Sequence, residues 1–130
     1  MSRKIFVNVC SQDLRRSIDF YAALGFTLVE EFTNEQAACL VLTDSIYVMA
    51  VTEGFFGETV TNGISTTGTQ VVLALELDSR EEVDEVADRA LAAGGEKAKD
   101  PMDEGFMYGR SVLDPDGHHW ELMWMSTDAT

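Results

Sequence analysis

An α+β fold made of two tandem β-α-β-β-β modules is predicted by three observations on this chain. Alternating apolar segments rich in β-formers fall into two groups of four, and each group is interrupted after its first strand by one amphipathic helical stretch. Each helical stretch stops at glycine, Gly25 in the first group and Gly94-Gly95 in the second. The order of elements repeats although the letters of the two halves share little, so the repeat lies in the pattern. Each sheet then has one face covered by a helix. The uncovered faces are expected to curl around a shared cavity lined by alternate residues of several strands.

The elements follow in order. Lys4–Cys10 (KIFVNVC) alternates and reads as a strand, with Phe6, Asn8 and Cys10 on one side of it. Ser11-Gln12-Asp13 offers capping side chains to LRRSIDFYAAL, where Leu14, Ile18, Tyr21 and Leu24 recur at helical spacing. Phe26–Phe32, Ala37–Leu42 and Ile46–Val51 read as strands separated by turn signals, and Tyr47 and Met49 share a side of the last. Residues 53–69, rich in Thr, Gly and Ser after Phe55-Phe56, show no period and read as a linker or flap. Gln70–Leu77 opens the second module. Ser79 and Glu82 form a capping-box pattern, and Val83, Val86, Ala87, Ala90 and Leu91 make the apolar stripe of its helix. A weak strand at Glu96–Lys99, a loop at Pro101–Glu104, a strand at Phe106–Leu113 and a final strand complete the chain. The expected organisation is a single domain over residues 1–130, with module one at about 3–52, the linker at 53–69 and module two at about 70–126.

The bulk numbers bound the function. At 130 residues and 45% apolar composition the chain has enough core for one domain. No stretch reaches the ~18 apolar residues of a membrane span, and the N-terminus lacks the apolar region of a signal peptide. Cys10 and Cys39 sit in apolar runs and read as buried thiols in a reducing, cytoplasmic setting. A formal net charge of −14 repels phosphate backbones and anionic membranes, so neither nucleic acid nor a membrane is an expected partner. That charge suits a cationic guest, but it suits plain solubility better.

The last strand carries the chemistry. Asp114-Pro115-Asp116-Gly117 is a tight turn, in which proline presets φ and glycine accepts the left-handed position. Beyond it, His118, Trp120, Leu122 and Trp124 alternate with His119, Glu121, Met123 and Met125. The first set suits a face packed on a helix, and His118 reads as structural. The second sets a carboxylate and an imidazole side by side on a Met-lined face. A carboxylate there must be hydrogen-bonded, paired or neutralised by a raised pKa, and His119, Arg110 or a guest could each serve.

The segments DLRRSIDFYAALGF and YGRSVLDPDGHHWELMWM, together with the doubled module, resemble the vicinal oxygen chelate superfamily, which holds glyoxalase I, extradiol dioxygenases and bleomycin-resistance proteins. The resemblance covers residues 3–126 and implies the paired-module fold, a homodimer, and in its metal enzymes one metal ligand from each of four strands. Carried onto this chain, those positions fall at Phe6, Met49, Val72 and Glu121, and only Glu121 keeps a family ligand; a register shifted by two would offer Asn8 and Gln70. The expected metal set is therefore none, with Glu121 the one candidate, and no cofactor is expected, a divalent metal being disfavoured.

The leading expectation is a glyoxalase/bleomycin-resistance-like protein that holds a small organic molecule in an apolar cavity without a catalytic metal. Phe6, Asn8, Cys10, Tyr47, Met49, Val72, Arg110 and Met123 are the expected ligand contacts, and Glu121 and His119 the catalytic pair if there is turnover. The alternative is a metal-dependent lyase or isomerase similar to glyoxalase I, or a dioxygenase-like enzyme. Residue types alone leave open whether the protein is an enzyme.

Overall fold

A computed structural model describes residues 3–126, and the chain divides between Gly68 and Thr69 into two compact units. In the first, β1 (Ile5–Ser11) leads into α1 (Leu14–Ala23), then β2 (Thr27–Leu28), a 3-10 turn at Glu30–Phe32, β3 (Ala37–Thr43), β4 (Ile46–Thr52) and α2 (Glu53–Thr59). The second runs β5 (Val72–Glu76), α3 (Arg80–Ala92), β6 (Glu96–Lys97), β7 (Met102–Asp103), β8 (Met107–Leu113) and β9 (His119–Met125). Both sheets are mixed and follow one plan. The first strand of each unit lies parallel to the last, in the orders β1-β4-β3-β2 and β5-β9-β8-β6, with β7 pairing β8. The repeat read from the order of elements is thus a repeat of topology.

Local chemistry sets the helix ends. The Asp13 carboxylate accepts from the backbone N–H groups of Arg15 and Arg16 at 3.0 and 3.3 Å, which starts α1. The Ser79 hydroxyl accepts from Glu82 N at 3.0 Å, while Glu82 reaches back past the cap to Asp78 N at 2.7 Å, so the box closes one residue early. Gly25 and Gly94 follow the two longer helices at φ +106° and +103°, a region where a Cβ would be strained.

Each unit buries its own core between helix and sheet. In the first, Phe20 and Tyr21 of α1 are wholly buried with Leu40, Val48 and Ala50, and Tyr21 meets Phe20 and Phe26 edge-on at 5.0 and 5.7 Å. In the second, Val83, Ala87 and Ala90 of α3 are wholly buried, as is Leu122, with Trp120 and Val112 nearly so. The longer helix contacts β8 and β9, which fixes the side of that sheet turned to the core.

Three segments differ from the sequence-based expectation. The strand expected over Phe26–Phe32 pairs only at Thr27–Leu28 and then tightens into the 3-10 turn. The first residues of the expected linker form α2, masked in sequence by Gly54 and Gly57, which weaken helical propensity. The expected loop at Pro101–Glu104 contains β7, too short to show a period.

Candidate functional site

The β8–β9 hairpin positions the polar site. Buried Asp114 closes its turn: one carboxylate oxygen accepts from Asp116 N and His118 N, both at 2.9 Å, and the Asp114 N–H donates to His118 O at 2.9 Å. Gly117 takes φ +92° within it. Counting outward, Leu113 pairs with His119, Ser111 with Glu121 and Gly109 with Met123, while on the other side of β9 Val72 lies beside His119 and Ala74 beside Glu121. Trp120 and Leu122 are buried toward α3, so strand alternation sends His119, Glu121, Met123 and Met125 to the opposite side.

Glu121 is the centre of a four-residue cluster. The buried Ser111 hydroxyl donates to Glu121 Oε2 at 2.6 Å, the His119 Nε2–H donates to the same oxygen at 2.5 Å, and the Lys99 ammonium stands 3.7 Å from it. Burial pushes the Glu121 carboxyl up, but the bonds from Ser111 and His119 and the positive charge of Lys99 together hold it below its ordinary value. The carboxylate is therefore ionised and already compensated by protein groups. Of the partners weighed from sequence, His119 is the one present. Ser111 and Lys99 were missed. The hairpin count from Asp-Pro-Asp-Gly, which sets Ser111 against Glu121, could have found the first; nothing in the local sequence points to Lys99.

Arg110, expected among the ligand contacts, lies on the other side of the sheet from Glu121. It pairs with Leu122 on the α3 side of the sheet, where its guanidinium bonds Asp84 and Asp88, both at 3.1 Å. The same group includes Tyr108, whose hydroxyl donates to Asp84 at 2.6 Å. This bond first, then Arg110, lowers the Asp84 carboxyl despite partial burial. It is an ion network tying α3 to β8, on the far side from Glu121.

The expected contacts of the first unit share one surface. The Ser11 and Ser17 hydroxyls meet at 2.6 Å under α1, so Ser11 faces that helix and, by alternation, Phe6, Asn8 and Cys10 face away. Phe6 pairs with Tyr47 and Asn8 with Met49, and the Phe6 and Tyr47 rings stack at 4.4 Å. Phe6 is 47% exposed and Val72 of the second unit 52% exposed. Asn8 turns its amide to its own strand, donating to Phe6 O at 3.1 Å.

A divalent metal of the kind the resemblance implies does not fit these residues. Phe6 and Val72 have no donor atom, Met49 supplies only a thioether, and Glu121 Oε2 is occupied by Ser111 and His119. Among the described residues, no three His, Cys, Asp or Glu side chains are grouped to hold a metal ion.

The model of the Glyoxalase/Bleomycin resistance protein/Dioxygenase superfamily matches residues 5–122. Among solved structures, hypothetical protein SA1046 from S. aureus is 26% identical with a TM-score of 0.80, covering 95% of this chain and 94% of that one. A glyoxalase-related enzyme from Fulvimarina pelagi is 22% identical with a TM-score of 0.82, covering 95% and 88%. A bleomycin resistance determinant encoded on the transposon Tn5 is 19% identical with a TM-score of 0.62, covering 95% and 98%. The last two likenesses are likenesses of fold. No curated protein matches the chain.

Proposed function

The chain belongs to the Glyoxalase/Bleomycin resistance protein/Dioxygenase superfamily, and from that premise we propose that it is a cytoplasmic, homodimeric protein that binds a small organic molecule without a catalytic metal. The guest lies on the side of the second sheet away from α3, its polar group at Glu121 and its apolar part along Met123 and Val72. Within the first unit, Phe6, Cys10, Tyr47 and Met49 form an apolar surface of their own. One observation carries this reading: the only family ligand retained, Glu121, has its charge answered by Ser111, His119 and Lys99. On the same face Val72, beside His119, stands 52% exposed and Met123 is half-buried, which supports an apolar part of the guest lying there. A lyase or isomerase similar to glyoxalase I needs oxygen or nitrogen donors where Phe6, Met49 and Val72 stand.

Thermal unfolding with a panel of apolar anions, cations and neutral compounds tests the proposal. Binders raise Tm by mass action, EDTA leaves the shift unchanged, and Glu121→Gln reduces it. A panel without a single shift, or shifts that vanish in EDTA, overturns it.

A further inference from the structure

We infer that Asn62 is a site of spontaneous covalent modification, where attack by the Gly63 backbone nitrogen expels the side-chain amide and leaves an aspartyl or isoaspartyl linkage just beyond α2. The site is independent of the binding role proposed above. Its chemistry needs an amide carbon within reach of the next backbone nitrogen, a nitrogen not engaged elsewhere, and no side chain shielding it. Asn62 is exposed and lies outside any helix or strand. Among the described residues, neither its amide nor the Gly63 N–H has a hydrogen-bond partner. Gly63 sits at φ +81°, and nothing stands within 4 Å of where its Cβ would be. The nitrogen is therefore unshielded, and the backbone is free to turn toward the amide.

The other positions open to the same reaction are tied. Asn8 lies in β1, donates to Phe6 O at 3.1 Å, and is followed by the buried, β-branched Val9. Asn34 Oδ1 accepts from Gln36 N at 2.8 Å and Ala37 N at 3.0 Å, which fixes its side chain on those two donors. Asp116-Gly117 offers a carboxyl beside a glycine, but the Gly117 N–H donates to Asp114 O at 2.9 Å inside the hairpin turn. Asn62 alone among the asparagines is followed by glycine.

The reaction needs only water. The Gly63 nitrogen gives up its proton and bonds to Asn62 Cγ, and the Cγ–Nδ2 bond breaks to release ammonia, closing a succinimide ring. Water then opens the ring at either carbonyl carbon and leaves a new carboxylate. Either product is one charge more negative than the starting −14. In the isoaspartyl product the main chain runs through Cβ and Cγ, one atom longer between α2 and Ile64. Ile64 is half-buried, and a Cβ on Gly57 would stand 3.7 Å from its Cδ1, so it packs on α2. That helix has 7 residues and no side-chain cap at Thr52, and it contacts β1 and β4. A helix so short holds by packing rather than by propensity, so shifting Ile64 loosens it.

Intact protein held in warm, mildly alkaline buffer and sampled by anion exchange and peptide mapping tests the site against a free peptide of residues 59–66. One acidic species should accumulate, faster at higher pH, with its new carboxylate at Asn62. Its rate should fall within roughly tenfold of the peptide's, as for a loop whose local opening costs little. Asn8 and Asn34 should convert only after unfolding in urea, and Asn62→Gln should lose the acidic species. No conversion of the folded protein while the peptide converts, or conversion first at another residue, overturns the site. Hydrogen exchange then compares the separated isoaspartyl species with Asn62→Asp, which adds the charge at normal backbone length. Faster exchange of the α2 amides in the isoaspartyl species alone is expected; equal exchange in the two overturns the link to α2 and leaves the modification site standing.

Discussion

Replacing Ser111 with alanine isolates the contact that holds Glu121 in place. The Ser111 residue is 4% exposed and its hydroxyl lies 2.6 Å from Glu121 Oε2, so the substitution removes a short bond to a charged acceptor and little volume. Hydrogen bonds to charged groups contribute about 1.5–3 kcal/mol. The Glu121 side chain is 21% exposed, so water replaces part of the lost donor, which sets the expectation at the lower end, about 1.5–2 kcal/mol. In a Glu121→Gln background the bond joins neutral groups, and the same substitution should cost only about 0.5–1 kcal/mol, leaving a coupling near 1 kcal/mol. Urea unfolding at pH 7 followed by tryptophan fluorescence is the assay. Both tryptophans, Trp120 and Trp124, lie on β9, so the signal reports the second unit. The folded-state pKa of Glu121 is depressed, so its stabilisation is full above the unfolded-state value and fades as pH drops through the folded one. The gap between wild type and Glu121→Gln should close accordingly in acid. A cost below about 0.5 kcal/mol with no coupling would refute the arrangement around Glu121.

Three further outcomes are expected. Tyr108→Phe removes the main cause of the lowered Asp84 pKa, so carboxyl NMR should show Asp84 titrating at higher pH; an unmoved titration contradicts the network on α3. Ser17→Ala strands the buried Ser11 hydroxyl and should cost about 1–2 kcal/mol, while removing both hydroxyls should cost less than the sum of the single changes; simple additivity counts against the pair. Cys39 is 3% exposed and burial pushes its thiol pKa up, so a thiol reagent should label half-buried Cys10 first and Cys39 only on unfolding; equal rates contradict that placement.

What the sequence makes legible is whatever depends on period and local chemistry. The strand alternation of His119–Met125 assigns Glu121 and His119 to one side and Trp120 and Leu122 to the other, and the structure keeps that division. Asp13, Ser79, Gly25 and Gly94 announce their helix ends because caps and stops act over three or four residues. Hairpin register is one step harder. It was available from the tight turn, and it would have set Arg110 against Leu122 and so on the α3 side. The contact of Lys99 with Glu121 spans β7, β8 and the three segments that connect them, so no periodicity encodes it. Short elements such as α2 and β7 escape for a different reason: seven and two residues hold too few turns or alternations to stand out.

The central claim, that Glu121 answers to its protein neighbours and to an organic guest rather than to a metal, is tested most directly by calorimetric titration of chelator-free protein with Ni²⁺, Zn²⁺ and Mn²⁺. The account predicts no stoichiometric, saturable uptake and the same heats from Glu121→Gln. One tightly held ion per chain, lost when Glu121 becomes glutamine, would contradict it.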